Sequence, residues 1–266
     1  MTLSLSPMPD DPAFEDHLWT RALNQYGSQL DEIERSHWWF AGRRAVILAA
    51  LRRFVRPGSR ILDFGCGAGG LTAEIARAYD VVGVDFSAPP LEIARARGLD
   101  VRLLASSDPL PAGFDAVCAF DVIEHIEDDT AEISRLAASV RPGGVVMVTV
   151  PAFRMLWGRM DEVAGHRRRY RLRGLDRVAR AARLTRLHAS YFNTWLFPAI
   201  AVGRLAGLPR ENHEIDLPSR PINAALRALF ETEAPLASRV TLPFGVSILY
   251  LARTATTSAS TRPAAP

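Results

Sequence analysis

Residues 60–70 read Arg-Ile-Leu-Asp-Phe-Gly-Cys-Gly-Ala-Gly-Gly: an apolar run ends in an acid and passes at once into glycines. A helical pattern starts at Leu71. Strand, glycine loop and helix in that order open an α/β nucleotide-type domain. The glycines let the backbone approach a ligand closely, and the helix start offers free N–H groups. Gly65, Gly67 and Gly70 satisfy the dinucleotide pattern G-x-G-x-x-G, a match of low specificity by itself. Asp63 before the glycines and the Gly69-Gly70 pair point instead to a second class of nucleoside cofactor, so the rest of the chain has to decide.

Downstream of this loop, short apolar strands alternate with amphipathic helices. Strands are expected at 60–64, 81–85, 101–105, 114–120 and 144–150, and helices at 70–79, 89–97 and 127–140. Such alternation means a parallel sheet covered on both faces. Pro142-Gly143-Gly144 reads as a tight turn into the fifth strand. After Pro151 the alternation stops. A polar, arginine-rich connection (152–171) leads to a helix at 172–183, and 186–192 and 246–253 read as two more strands, the last antiparallel. A long insertion with apolar and helical stretches separates those two strands. Upstream, helical periodicity over 14–35 is followed by His37-Trp38-Trp39-Phe40 and a second helix from about Arg43 to Phe54. The resulting division is a disordered tail (1–12), an N-terminal helical lid (13–56), a Rossmann-like core (57–151), a substrate-cap region completing the sheet (152–253, with the insertion 194–243), and a second disordered tail (254–266).

With 266 residues and 48% hydrophobic content, the chain can bury a large core. All 32 of its Lys or Arg residues are arginine, for a net charge of +3 and a pI near 9.2. That balance fits a GC-rich bacterial genome and does not imply a nucleic-acid partner. Cys66 and Cys118 lack metal-ligand spacing and read as reduced thiols of a cytoplasmic protein. No basic segment followed by an apolar core marks a signal peptide. The apolar stretch Trp195 to Leu208 contains Pro198 and Arg204 and falls short of the roughly 20 residues that span a bilayer. Contact with a membrane surface or lipid through 194–243 stays open.

Val81-Val82-Gly83-Val84-Asp85 puts an acid at the end of the second strand, where a carboxylate can accept from both hydroxyls of a ribose. Phe120-Asp121-Val122-Ile123-Glu124-His125 ends the fourth strand, and Arg141-Pro142-Gly143-Gly144 precedes the fifth. Taken together with Asp63–Gly69, these segments resemble the class I S-adenosylmethionine (SAM)-dependent methyltransferases, in particular the small-molecule group called methyltransferase type 11. The resemblance covers about residues 40–151. It implies that Asp63, Gly65, Cys66, Gly67 and Gly69 hold the methionine part of SAM, with Asp85 on the ribose and Phe86 beside the adenine. The adenine amino group would meet Ser106, Ser107 or Asp108, and Asp121 would lie near the methionine. A nicotinamide-dependent oxidoreductase is the alternative that the glycine pattern leaves, and a C-methyltransferase acting on a prenyl-type lipid is another. No Asn-Pro-Pro-aromatic motif of nucleic-acid methyltransferases follows strand four.

The flanks resemble a narrower bacterial subgroup associated with glycan or lipid pathways, through His37–Phe40 with Arg43 and Arg44, Trp157-Gly158 with Asp161, Gly165-His166 with Arg169-Tyr170, and Leu242–Gly245. A small-molecule acceptor bearing a hydroxyl, carboxylate or phosphate is expected. His125, His166 and Tyr170 are candidate catalytic groups, and either histidine can equally be structural. His37, Trp38, Trp39, Arg43, Trp157, Arg167 and Arg169 are candidates for binding the acceptor. Arg167-Arg168-Arg169 reads either as an anion-recognition patch or as a loop paired with nearby acids. Trp195, Leu196, Phe197, Ile200, Leu226, Leu229 and Phe230 read first as the core of a cap and second as a pocket for a lipid or prenyl tail.

Overall fold

The computed structural model describes residues 34–105, 108–206 and 218–256. Seven strands form one sheet: β1 Arg60–Phe64, β2 Asp80–Asp85, β3 Asp100–Leu103, β4 Phe114–Phe120, β5 Val140–Pro151, β6 Thr185–Phe192 and β7 Ser247–Arg253. Their spatial order is β3-β2-β1-β4-β5-β7-β6. The pairs from β3 through β5 are parallel, and β7 runs antiparallel between β5 and β6. This is a mainly parallel Rossmann-like sheet, and its carboxyl edge collects the ends of β1, β2, β4, β5 and β6.

Alternate residues of each strand feed the two faces. Leu62, Val117 and Val148 face a core completed by α4 (Asp129–Ser139) and α6 (Leu172–Ala181). Ile61, Cys118 and Met147 face the opposite core, built on α1 (Trp38–Phe54) and Ile75 of α2 (Gly70–Ala76). A small third cluster joins α3 (Ala88–Ala96) to Val101. The two cysteines are free.

Two boundaries differ from the sequence expectation. Helix α1 begins at Trp38, five residues before Arg43, because His37 caps it: Nδ1 accepts from the Trp39 amide at 3.2 Å. Ser, Thr, Asp and Asn are the usual caps, so a histidine there carries no start signal. Strand β5 begins at Val140, so Pro142-Gly143-Gly144 lies inside it. The turn expected there is a bulge, with the register to β4 shifting between Phe114 and Ala116 and Gly143 at φ 79°.

The insertion contributes α7 (Phe197–Leu205), α8 (Arg220–Glu231) and α9 (Ala234–Ala237). Helix α8 closes on the start of α1. Asn223 accepts from the Trp38 amide at 2.9 Å and donates to the Ser36 carbonyl at 2.8 Å. Phe230 is fully buried between Trp38 and Phe192, so close to α1 that a Cβ on Gly42 would lie 2.2 Å from its ring. Of the insertion residues expected to form a cap core, Phe230 instead joins the core on the α1 face of the sheet, while Trp195 and Leu229 are exposed, as are Val202 and Leu205 at 65%. Among the described residues no helix is long and apolar enough to cross a membrane.

Truncating Phe230 to Ala is expected to destabilise the fold by about 3–5 kcal/mol, the usual cost of emptying a buried aromatic site. Urea denaturation of Phe230→Ala against the unmodified chain measures it. A loss below about 1 kcal/mol would show that α8 is not part of the core.

Candidate active site

The chain leaves β1 through Gly65, Gly67 and Gly69, all at positive φ (77°, 53° and 78°), which glycine alone adopts without strain. Two of them also lack room for a side chain. A Cβ on Gly65 would stand 2.5 Å from Val122 Cγ2, and one on Gly69 would stand 2.5 Å from Leu99 Cδ1. The first contact places the loop after β4 directly against the loop after β1. Amides of Gly65 and Cys66 bond the Val84 carbonyl at 2.8 and 3.1 Å, tying the loop to β2. Asp85, at the end of β2, accepts from the Gly67 amide at 2.8 Å and the Ser87 amide at 3.0 Å. A carboxylate offers about four lone-pair sites, so even with the Phe86 amide also directed at it, Asp85 keeps capacity for a ligand hydroxyl. The loop and its acid fit the cofactor that the sequence reading places here.

Asp63 is buried and accepts from Thr72 Oγ1 at 2.7 Å. Burial pushes its carboxyl up to about 6, against the opposing pull of the Thr72 bond and of Arg43. Cys66 is half-buried, and burial holds its thiol well above the ordinary range. Phe86 packs edge-on against Phe64, with the Arg135 guanidinium over both rings. Asp108 folds back on its own loop, accepting from the Ala105 amide at 2.8 Å. Ser106 and Ser107 lie outside the described residues.

The end of β4 carries the densest group of ionisable side chains. Asp121 sits at φ 57°, a left-handed conformation that strains a non-glycine residue. Its carboxylate meets Arg43 Nε at 2.5 Å, and Arg43 also donates to the Phe120 carbonyl and lies over the Trp39 ring. Arg43, a candidate for binding the acceptor, is thereby committed to fastening α1 to the end of β4. Glu124 is fully buried, and neither of its carboxylate oxygens has a hydrogen-bond partner among the described residues. Burial, reinforced by Asp121, drives its carboxyl well upward. The His125 and His166 rings meet edge to face, 4.8 Å between centroids. Burial, and then His166, lower His125 to about 4, so its imidazole is neutral at neutral pH.

His166 reaches this place from a segment that crosses over the β4 end. Its anchor is Asp161, fully buried in the short helix α5 (Arg159–Val163). Asp161 accepts from the Gly158 amide at 2.8 Å, meets His166 Nδ1 at 2.8 Å and pairs with Arg169 Nε at 2.7 Å. Despite the upward push of burial, these partners hold its carboxyl down at about 2. Of the two readings of the arginine run, the structure favours the paired loop. Arg167 donates to the His125 carbonyl, Arg168 pairs with Asp129, and Arg169 binds Asp161 and the Ala152 carbonyl. Arg167 alone of the three is more than half exposed.

Tyr170, a candidate catalytic group, is buried, with its hydroxyl 2.9 Å from Asp129 Oδ2 and 3.3 Å from the Ile123 carbonyl. Burial and Asp129 raise it far above the ordinary tyrosine range, which suits a brace beneath the β4 loop and not a proton carrier. His37 and Trp38 are spent on the α1 cap and the α8 contact, and Trp157 lies beside the Arg154 guanidinium. The structure thus brings Asp63, Asp85, Asp121, Glu124, His125 and His166 to one edge and draws most of the other candidates into packing. Asn193 was not singled out from sequence. It follows β6 at φ 57°, fully buried, with both side-chain polar atoms unpaired among the described residues. Nothing in its sequence neighbourhood signals it.

Comparison with known proteins agrees with this geometry. A family described as "Methyltransferase domain" matches residues 39–189. The ubiquinone biosynthesis O-methyltransferase of Xylella fastidiosa (strain 9a5c) is 32% identical over 147 residues, covering 47% of this chain and 60% of that protein. That of Mesorhizobium japonicum is 38% identical over 107 residues, covering 36% and 43%. The chain therefore spans under two thirds of the length of these relatives. Among solved structures, Haemonchus contortus phosphoethanolamine N-methyltransferase 2 in complex with SAM aligns at TM-score 0.57 and 18% identity, covering 90% of this chain and 60% of that one. The [4+2]-cyclase SpnF aligns at TM-score 0.60 and 20% identity, covering 95% and 100%. A cyclase on the same scaffold shows that these structural likenesses speak for fold alone.

The raised Asp63 carboxyl has a measurable consequence. The folded chain holds that proton up to about pH 6, whereas the unfolded chain releases it near pH 3.9. Its contribution to stability is thus lost as pH rises through that window, and ionised Asp63 is a constant cost above it. Asp63→Asn is expected to match the unmodified chain near pH 4 and to exceed it by up to about 3 kcal/mol above pH 6. Denaturant melts at several pH values check this, and a gap that does not grow with pH contradicts it.

Proposed function

Since the chain belongs to the methyltransferase-domain family, we propose that it moves the methyl group of SAM to a hydroxyl oxygen of a small-molecule acceptor. When bound, SAM supplies an electrophilic methyl group on a sulfonium, which an in-line displacement transfers to a nucleophile. One observation carries the choice of an oxygen acceptor. The loop holding Glu124 and His125 lies against the glycine loop, through Val122 over Gly65, and His166 closes over it. A hydroxyl must give up its proton to become an effective nucleophile, and this cluster of a carboxyl and two imidazoles stands where that proton has to be managed.

The remaining duties fall to named groups. The glycines of the 65–69 loop let its backbone lie close to the cofactor, and the capacity that Asp85 keeps free suits a ribose hydroxyl. The Arg43–Asp121 pair holds α1 against the site, while Trp39 lends an aromatic wall beside it. An anionic acceptor finds less support, because Arg168 and Arg169 are already paired with acids of this chain. The O-methyl transfer in the names of the relatives and the exposed apolar side chains of α7 together favour a hydroxyl on a molecule with an apolar tail. The nicotinamide reading of the glycine pattern loses its ground to the family membership.

Calorimetry is expected to show binding of SAM and S-adenosylhomocysteine and none of NAD. Asp85→Ala is expected to weaken SAM by about 10–100-fold, the worth of about 1.5–3 kcal/mol in hydrogen bonds to a charged group. With labelled SAM, hydroxylated amphiphiles should accept label that their methyl ethers do not. Label found on carbon, or binding of NAD in place of SAM, would sink the reading.

A further inference from the structure

A cavity of about 390 Å³ opens between the start of α4 and the length of α6, with Thr130, Arg169, Arg171, Arg177, Val178 and Ala181 among its walls. Asp63, Asp85, Asp121, Glu124, His125 and His166, the groups gathered at the carboxyl edge, take no part in it. We propose that this cavity binds a small phosphate monoester, and that its occupant braces the covering segment that carries His166. The inference goes beyond methyl transfer and does not depend on it.

Charge carries the argument. Two cations around the cavity are already balanced: Arg169 pairs with Asp161, and Arg168 pairs at 3.0 Å with Asp129 of the cavity wall. Asp129 also accepts from the Tyr170 hydroxyl at 2.9 Å, so its carboxylate is engaged within the protein. Arg171 and Arg177 differ. Both are exposed, and no acid pairs with either among the described residues. Asp176, next to Arg177 in the chain, is held by Arg186 at 3.0 Å and by the Tyr250 hydroxyl at 3.0 Å. Arg171 lies over the Phe153 ring, 5.8 Å from its centroid. The wall thus keeps a surplus of positive charge at Arg171 and Arg177. A phosphate monoester carries a charge of about −1.5 to −2 at neutral pH, which matches that surplus, and guanidinium forks fit its oxygens. A carboxylate brings only half as much.

The other walls suit the same ligand. Arg169 spends Nε on Asp161 and Nη1 on the Ala152 carbonyl, which leaves Nη2 for an anion. Thr130 Oγ1 reaches Asp129 at 3.3 Å, a long bond that a phosphate oxygen can replace. Gly174, Val178 and Ala181 offer apolar surface to the organic part of the ester. The volume stands at the small end of ligand pockets, as a compact molecule requires. Arg169 then lies between the phosphate and Asp161, the carboxylate that seats His166. An occupant held by Arg169 therefore steadies, at one remove, the segment above the β4 end.

Calorimetry on the full chain with butyl phosphate, inorganic phosphate and butyrate tests the site. Butyl phosphate should bind with Kd below about 1 mM. Inorganic phosphate lacks the apolar part and butyrate lacks the second charge, so each should bind about tenfold more weakly. Affinity for butyl phosphate should fall by about tenfold or more in the double variant Arg171→Gln, Arg177→Gln. It should fall likewise in Gly174→Leu, where a Cβ meets nothing within 4 Å and the new side chain has room to fill the cavity. S-adenosylhomocysteine binding should be unchanged in both variants, which also reports that they fold. Saturating butyl phosphate should slow amide exchange over residues 161–170, read by mass spectrometry. No saturable binding of butyl phosphate, equal affinity for the three probes or across the variants, or exchange over 161–170 that the ligand leaves untouched overturns the inference. An unmodified chain that binds butyl phosphate and neither SAM nor S-adenosylhomocysteine keeps this site and loses the methyl-transfer reading.

Discussion

Strand β1 is paired on both sides, by β2 and β4, and covered on both faces. Its backbone donors and acceptors are spent within the sheet, and its side chains are spent in the cores. Only its end remains to meet a ligand, and the same holds for β4. This constraint sends the chemistry to the carboxyl edge, where a parallel sheet must also turn sharply to start each crossover. Non-glycine residues at positive φ follow three of these strands: Asp121 after β4, Phe153 after β5 and Asn193 after β6. Strain of about 1–3 kcal/mol per such residue is concentrated on the edge that the sheet leaves available.

Burial of charge organises the same edge. Asp161 would be costly alone in the interior, yet three donors meet it and its carboxyl stays ionised. It thereby decides where His166 and Arg169 stand. Glu124, on the far side of the His166 ring, has no such partners among the described residues, and burial drives it the other way. Two buried carboxylates with opposite electrostatic fates, linked through one imidazole, give the site an asymmetry that neither would have alone. The arginine run contributes to it mainly by tying the covering segment to the β4 loop, since its guanidinium groups find Glu127, Asp129 and Asp161 first.

The strands and the cofactor loop were legible because their signals are local. Apolar runs, the acids at positions 63 and 85, and glycines that only a tight turn requires all lie within a few residues of one another. The α1 start was not legible, because its cap is a histidine and its support comes from Asn223, 185 residues away. Tyr170 and Arg43 share the ambiguity of polar residues in a motif. The residue type fits catalysis, binding or bracing, and only the partner in space, Asp129 for one and Asp121 for the other, decides. Asp161 follows Trp157-Gly158 in the sequence, but its place at the centre of the covering segment depends on three partners that spacing alone does not reveal.

Strand β7 lies between β5 and β6 although it is made after both. At the ~5–20 residues per second of ribosomal synthesis, the 54 residues between Phe192 and Ser247 take roughly 3–11 s to appear. Through that interval the edge of β5 that β7 will cover is unpaired and able to recruit a foreign strand, and β6 lacks the strand that holds it in the sheet. The nascent chain therefore passes through a stage whose danger is set by position and not by sequence. The helices encoded within those same 54 residues are the first material at hand to occupy the vicinity until β7 arrives.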